Sequence, residues 1–177
     1  MFNKIKQLWS RWRQHFWVSL ATDVCIILAV MWAIHIWQTR QLPFDQPAPV
    51  TQLTSLAGEQ LSSAITENQV GVVYFFAPWC FYCRTSIGNL DGLVAQGRVS
   101  WATVVALDYT DAGAVQEFVD RTGITLPVLM GTPATASDWS VRAFPTYYVI
   151  DAEGRISSRS VGYSSWLGMA IRHWLAL

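Results

Sequence analysis

From Val18 to Trp37 the chain runs through twenty positions, VSLATDVCIILAVMWAIHIW, of which only Ser19, Thr22, Asp23 and His35 are polar. As a helix this run rises about 30 Å, the thickness of a bilayer's hydrocarbon core, and it predicts one membrane span. The stretch after it, RQLPFDQPAPVTQLT, carries three prolines and no hydrophobic period, the pattern of an extended spacer. In SLAGEQLSSAIT, Leu56, Leu61, Ala64 and Ile65 fall at helical spacing, whereas VGVVYFFA is a continuous apolar run of strand length. Ile87, Leu90 and Val94 recur at steps of three and four from Cys83, which predicts a helix with Cys83 on its apolar stripe. VSWATVVALD predicts a second buried strand. DAGAVQEFVDRTG predicts a helix with Val115, Phe118 and Val119 on one face and Gly123 at its end.

The remaining segments complete the pattern. TLPVLMG reads as a short strand, FPTYYVID and ISSRSVG as a hairpin about AEGR, and SSWLGMAIRHWLAL as a serine-capped amphipathic helix. Strands alternating with helices before a terminal hairpin and helix predict an α/β sandwich with a mixed sheet. The expected divisions are a basic N-terminus over 1–17, the span over 18–38, a proline-rich linker over 39–50 and one folded domain over 51–177.

Charge gives the span a direction. Lys4, Lys6, Arg11 and Arg13 precede it, no lysine follows, and Arg40 is the one cation close behind. The N-terminus is therefore expected in the cytoplasm and the rest outside, with Trp9, Trp12, Trp17 and Trp37 at the interfaces. A cleaved signal would have a shorter apolar core followed by a small-residue site, so this run is expected to stay as an anchor. Asp23 and His35 lie near its ends, where snorkelling relieves their cost, and carry no expected chemistry. Cys25 inside the span is expected to act as an inert small hydrophobe. From Val50 onward seven arginines face ten acids, a balance that argues against nucleic-acid binding. Glu59 and Glu67 read as solvated helix faces.

The segment YFFAPWCFYCRT places Cys80 and Cys83 where a strand gives way to a helix. A structural zinc site needs four ligands, and only His173 is at hand in the exported part to join the two sulfurs, so no metal or other cofactor is expected. A static cross-link of so short a loop restricts the unfolded chain little. A redox couple fits best. Cys80 at the helix N-terminus meets unpaired N–H groups and the positive end of the helix dipole, which favour a thiolate and make it the expected nucleophile. Cys83, one turn on and on the apolar stripe, is the expected resolving thiol.

With the surrounding β–α–β pattern, FFAPWCFYC resembles the active site of the thioredoxin superfamily, and VRAFPTYYVID resembles the loop that carries its cis-proline. The resemblance covers roughly Thr51 to Leu177. DAGAVQEFVDRTGITLPVLMG resembles the inserted helix and strand of the membrane-tethered group that includes the cytochrome c maturation reductants. Within that group the anchor and motifs are most similar to the suppressor-of-copper-sensitivity D type. The implied fold is a thioredoxin fold: a mixed central sheet flanked by helices, with an inserted helix-strand, preceded by one transmembrane helix.

The resemblance also implies roles. Pro145 would be the cis-proline, and Phe144 would offer its backbone to an extended substrate strand. Trp79 would shape the rim, while Phe81 and Tyr82 between the cysteines would tune the redox poise. The implied partners are protein disulfides as substrates and a membrane thiol-disulfide electron transporter as donor, at the periplasmic face of a bacterial inner membrane. Two positions depart from the pattern: the superfamily's buried acid is Tyr74 here with Val104 in place of its lysine partner, and Ser86 replaces the reductants' glutamate. A disulfide oxidase or isomerase, a binding module without catalysis, and a copper-binding module remain as alternatives, separable by potential, by serine substitution of each cysteine, and by Cu(I) binding.

Overall fold

The computed structural model describes residues 2–40, 42–50, 52–58, 60, 61, 64–66 and 68–177. The side chains of residues 2–15, His35, Gln60 and Leu61 fall outside the description, and with them those of Lys4, Lys6, Trp9, Arg11, Trp12 and Arg13; Glu59 and Glu67 fall outside it altogether. The chain divides into two units, Met1–Arg40 and Gln41–Leu177.

The first unit is one helix, α1 (Phe2–Thr39). The 24 residues of Phe16–Thr39 are long and apolar enough to cross a membrane, a stretch that takes in the expected span and extends it at both ends. Its large apolar side chains stand exposed, as a lipid-facing surface requires, and the free Cys25 is exposed among them.

The second unit is built on a seven-stranded mixed sheet in the order β2-β1-β5-β4-β3-β6-β7. The strands are β1 (Leu53–Ser55), β2 (Gln60–Leu61), β3 (Gly71–Phe76), β4 (Trp101–Ala106), β5 (Val128–Met130), β6 (Thr146–Ile150) and β7 (Ile156–Val161), and the helices α2 (Phe81–Ala95), α3 (Ala112–Thr122), α4 (Pro133–Asp138) and α5 (Trp166–Trp174). β3, β4 and β5 run parallel, and β6 returns antiparallel beside β3. Every residue of β3 is buried because the sheet is covered on both faces. Val72, Tyr74 and Phe76 join one core with Cys83, Ile87, Leu90, Phe118 and Met169, whereas Val73 and Phe75 join a second with Trp101, Trp139 and Tyr148. The expected thioredoxin fold is present, with α3 and β5 as the inserted pair.

Three sequence expectations change. The helix over SLAGEQLSSAIT is replaced by a turn: β1 pairs antiparallel with β2, and Gly58 takes φ +90°, a conformation that favours glycine. Helical spacing lost to the open edge of β5, onto which β1 adds through Thr54–Met130 and Ser55–Leu129. The proline-rich stretch is no free spacer. Leu42 and Ala48 are buried, Asp45 and Ile156 join by backbone hydrogen bond, Pro47 bridges to Arg155, and Arg159 donates to the Leu42 carbonyl. The second unit therefore starts at Gln41 and not at 51. The short helix α4 had no period to announce it, yet Thr132 and Thr135 form its capping box and Pro133 opens it.

Candidate active site

Ala77, Pro78 and Trp79 turn the chain out of β3, closed by a hydrogen bond from the Cys80 N–H to the Ala77 carbonyl at 3.0 Å. Cys80 is the N-cap of α2, extended at φ −73° and ψ 113°, and its Sγ accepts the Cys83 N–H at 3.1 Å. The sulfur thus occupies the place of a capping hydroxyl, satisfying an N–H that the first helical turn leaves unpaired. Cys80 and Cys83 are joined by a disulfide with Cα atoms 5.3 Å apart. Cys83 is fully buried and Cys80 4% exposed, so the outer sulfur belongs to the residue at the helix dipole's positive end.

The rim around the sulfurs is aromatic. Trp79, Phe81 and Tyr82 are all more than half exposed. The Trp79 indole N–H is shared between the carbonyl and carboxylate oxygens of Asp108, each at 3.1 Å, and its ring meets Phe144 edge-on at 5.9 Å. That contact brings the cysteine turn against the loop of Phe144 and Pro145, whose peptide bond is cis. Pro145 is buried, its carbonyl taken by the Gly162 N–H, and Phe144 is half-buried. A groove of about 510 Å³ lies beside this rim, lined among others by Asp108, Tyr109, Val141, Arg142 and Phe144.

Beneath the cysteines the core carries two hydroxyls. Tyr74 and Ser86 lie 2.8 Å apart and are both fully buried. Burial pushes the Tyr74 phenol well above its ordinary pKa, outweighing the hydrogen bond to Ser86. Val104 is the register partner of Tyr74 on β4. His173 lies away from the sulfurs, its Nε2 donating to the Val70 carbonyl at 3.2 Å. Among the described residues no group of three or more His, Cys, Asp or Glu side chains is placed to hold a metal ion.

Of the residues singled out in the sequence, Trp79, Cys80, Phe81, Tyr82, Cys83, Phe144 and Pro145 fall in this one region. Asp108 was missed. Its only signal is an acid directly after the apolar strand VVAL, at the end of the sheet where the cysteines emerge.

The family model described as AhpC/TSA family matches residues 44–159. The chain belongs to the AhpC/TSA family. As a member of it, the chain is 31% identical to the thioredoxin-like protein YneN of Bacillus subtilis over 121 residues, which are 66% of this chain and 71% of that one. It is 28% identical to the thiol:disulfide interchange protein HelX of Rhodobacter capsulatus over 120 residues, 65% of this chain and 66% of the relative, just under two thirds of its length. The solved structure of a thiol:disulfide interchange protein of the thioredoxin family from Chlorobium tepidum superposes with a TM-score of 0.65 at 27% identity, covering 76% of this AhpC/TSA chain and 96% of that one.

Proposed function

We propose that the chain is a membrane-tethered protein-disulfide oxidoreductase that reduces disulfides of other proteins at the periplasmic face of a bacterial inner membrane. The observation that carries this is the Cys80–Cys83 pair at the start of α2, with Cys80 as its cap and exposed aromatics around it. The kinship to thiol:disulfide interchange proteins supports it, and so does the apolar helix Phe16–Thr39 as a single anchor.

In the reduced enzyme the Cys80 thiolate attacks one sulfur of a substrate disulfide. A bond forms between Cys80 and that sulfur, and the other substrate sulfur leaves as a thiolate and takes a proton from water. Cys83 then loses its proton and attacks the Cys80 sulfur, expelling the second substrate sulfur, which is protonated in turn. Two electrons pass to the substrate and the chain retains the Cys80–Cys83 disulfide. Phe144 offers backbone groups to an extended substrate segment, and Trp79 bounds the entry. A membrane thiol-disulfide electron transporter returns the two electrons, which an oxidising compartment does not supply, and water returns the one proton that restores the Cys83 thiol beside the Cys80 thiolate. Phe81 and Tyr82 adjust how well the Cys80 thiolate is held, and hence the potential.

The test is turnover of a single-disulfide peptide by the full-length chain in detergent micelles with a dithiol as electron source. The native chain turns over and Cys80→Ser does not; equal rates in the two would overturn the proposal.

A further inference from the structure

Three hydrogen bonds run in series from the buried core to the sulfur of Cys80. The Tyr74 hydroxyl lies 2.8 Å from Ser86 Oγ, and Ser86 Oγ lies 2.7 Å from the Tyr82 carbonyl oxygen one turn earlier in α2. A serine hydroxyl holds one hydrogen and a carbonyl only accepts, so Ser86 donates to Tyr82 and Tyr74 donates to Ser86. The Tyr82 carbonyl and the Cys83 N–H belong to the same peptide group. That N–H donates to Cys80 Sγ at 3.1 Å.

A carbonyl that accepts a hydrogen bond draws electron density along its amide, which makes the N–H at the other end a stronger donor. Bonds coupled in this way strengthen one another by about 10–30% each. The gain is larger when the final acceptor is charged, as Cys80 is once the disulfide opens to a thiolate. We propose that Tyr74 and Ser86 are positioning residues that stabilise the Cys80 thiolate through the Tyr82–Cys83 peptide group and thereby set the potential of the couple. The proposal rests on the redox reading of the pair.

The surroundings keep the series pointed one way. Tyr147 of β6 stacks on Tyr74 at 6.4 Å, and its own hydroxyl takes a hydrogen bond from Arg172 of α5 at 3.1 Å. β4 presents the apolar Val104 opposite Tyr74, and α2 presents Cys83 and Ile87 to the same core. The charged groups at the rim, Asp108 and Arg84, are exposed. With its pKa raised by burial, Tyr74 keeps its proton and remains a donor. Packing alone gives no reason for these hydroxyls, since phenylalanine and alanine would fill the same core without polar atoms to satisfy.

The test equilibrates the full-length chain, in detergent micelles, with glutathione buffers, and follows the pH dependence of iodoacetamide alkylation on the Cys80 peptide by mass spectrometry. Tyr74→Phe with Ser86→Ala removes the two hydroxyls of the series, while Thr85 Oγ1 still donates to the Tyr82 carbonyl at 3.1 Å, so no acceptor is orphaned. The expected result is an equilibrium shifted about twofold to threefold toward the disulfide, a fall of about 10 mV in potential, together with a higher alkylation midpoint for Cys80. Ser86→Thr, which keeps the hydroxyl, is expected to restore the native values. Leu90→Val loosens the same buried helix face without touching the series and is expected to leave both readouts unchanged. An unchanged potential in the double variant, or in Ser86→Ala alone should the double variant not fold, would overturn the proposal, as would an equal shift from Leu90→Val. A native couple that did not exchange with glutathione would overturn the redox reading and this inference with it, whereas a native couple that exchanges beside an indistinguishable variant overturns the inference alone.

Discussion

The Trp79 indole N–H is held by Asp108, twenty-nine residues further along the chain, through both its carbonyl and its carboxylate. Asp108 follows β4 and sits in the left-handed region at φ +49°, which an aspartate tolerates better than most residues. The end of β4 thus supports the rim of a site carried by β3 and α2. Trp79 is largely exposed, and a substrate segment packed on its indole gains what an aromatic contact gives, about 1 kcal/mol or roughly fivefold in an equilibrium. Trp79→Ala is therefore expected to raise KM for a protein disulfide about fivefold while leaving the reaction with a small dithiol nearly unchanged. Steady-state rates with both substrates check this; equal losses with both would assign Trp79 to the chemistry.

The two cysteines are expected to fail differently. With Cys80→Ser, turnover disappears because the attacking sulfur is gone. With Cys83→Ser, the first step proceeds and the second cannot, so a mixed disulfide between Cys80 and substrate accumulates. Non-reducing gels and mass spectrometry of the adduct distinguish them. No adduct with Cys83→Ser would exchange the roles or remove them.

Direction depends on potential. A reductant fed through the membrane is expected to lie near thioredoxin, about −270 mV, whereas a strong oxidant would lie near about −120 mV. Equilibration of the native couple against glutathione and dithiothreitol decides between them, and a value close to the oxidant's would make the chain an oxidase with the same residues.

The inserted helix is tied to the central strand by stacking of Phe118 on Phe76 at 4.5 Å, both rings being fully buried. Phe118→Ala leaves a cavity beside β3 and is expected to destabilise the second unit by about 3–5 kcal/mol. Urea unfolding followed by tryptophan fluorescence measures the loss. A cost below about 1 kcal/mol would mean that α3 is only loosely joined to the core.

Alkaline pH is expected to unfold the second unit. Burial is the main cause that raises the phenols of Tyr74 and Tyr148 above the ordinary tyrosine value, and Arg159 lowers Tyr148 only in part. A raised folded pKa means that the native state holds protons the unfolded chain releases. The contribution is complete below the unfolded value of about 10 and is lost as pH rises beyond it toward the folded one. The urea midpoint should stay level from about pH 7 to 9 and fall above about pH 10, and Tyr74→Phe should flatten that fall. An equally steep fall in the variant would assign the alkaline loss to other groups.

Much of the molecule was legible from local pattern. The apolar run before Trp37, the strand VGVVYFFA, the helix begun at the cysteines and the helix closed by Gly123 each announce themselves within about fifteen residues, because period, caps and breakers act over a few turns. The same locality made Cys80 the capping sulfur and Cys83 the buried one. Tertiary structure decided what depended on distant partners. SLAGEQLSSAIT has a helical spacing, yet β1 was claimed by the free edge of β5, and the proline-rich stretch was seated on β7 by Arg155 and Arg159, more than a hundred residues away. Tyr74 and Ser86 each looked like a departure from a familiar motif when taken singly. Only the packing of α2 across β3 shows them as one hydrogen-bonded pair, since the hydroxyls meet through burial in a shared core and no local period encodes their approach.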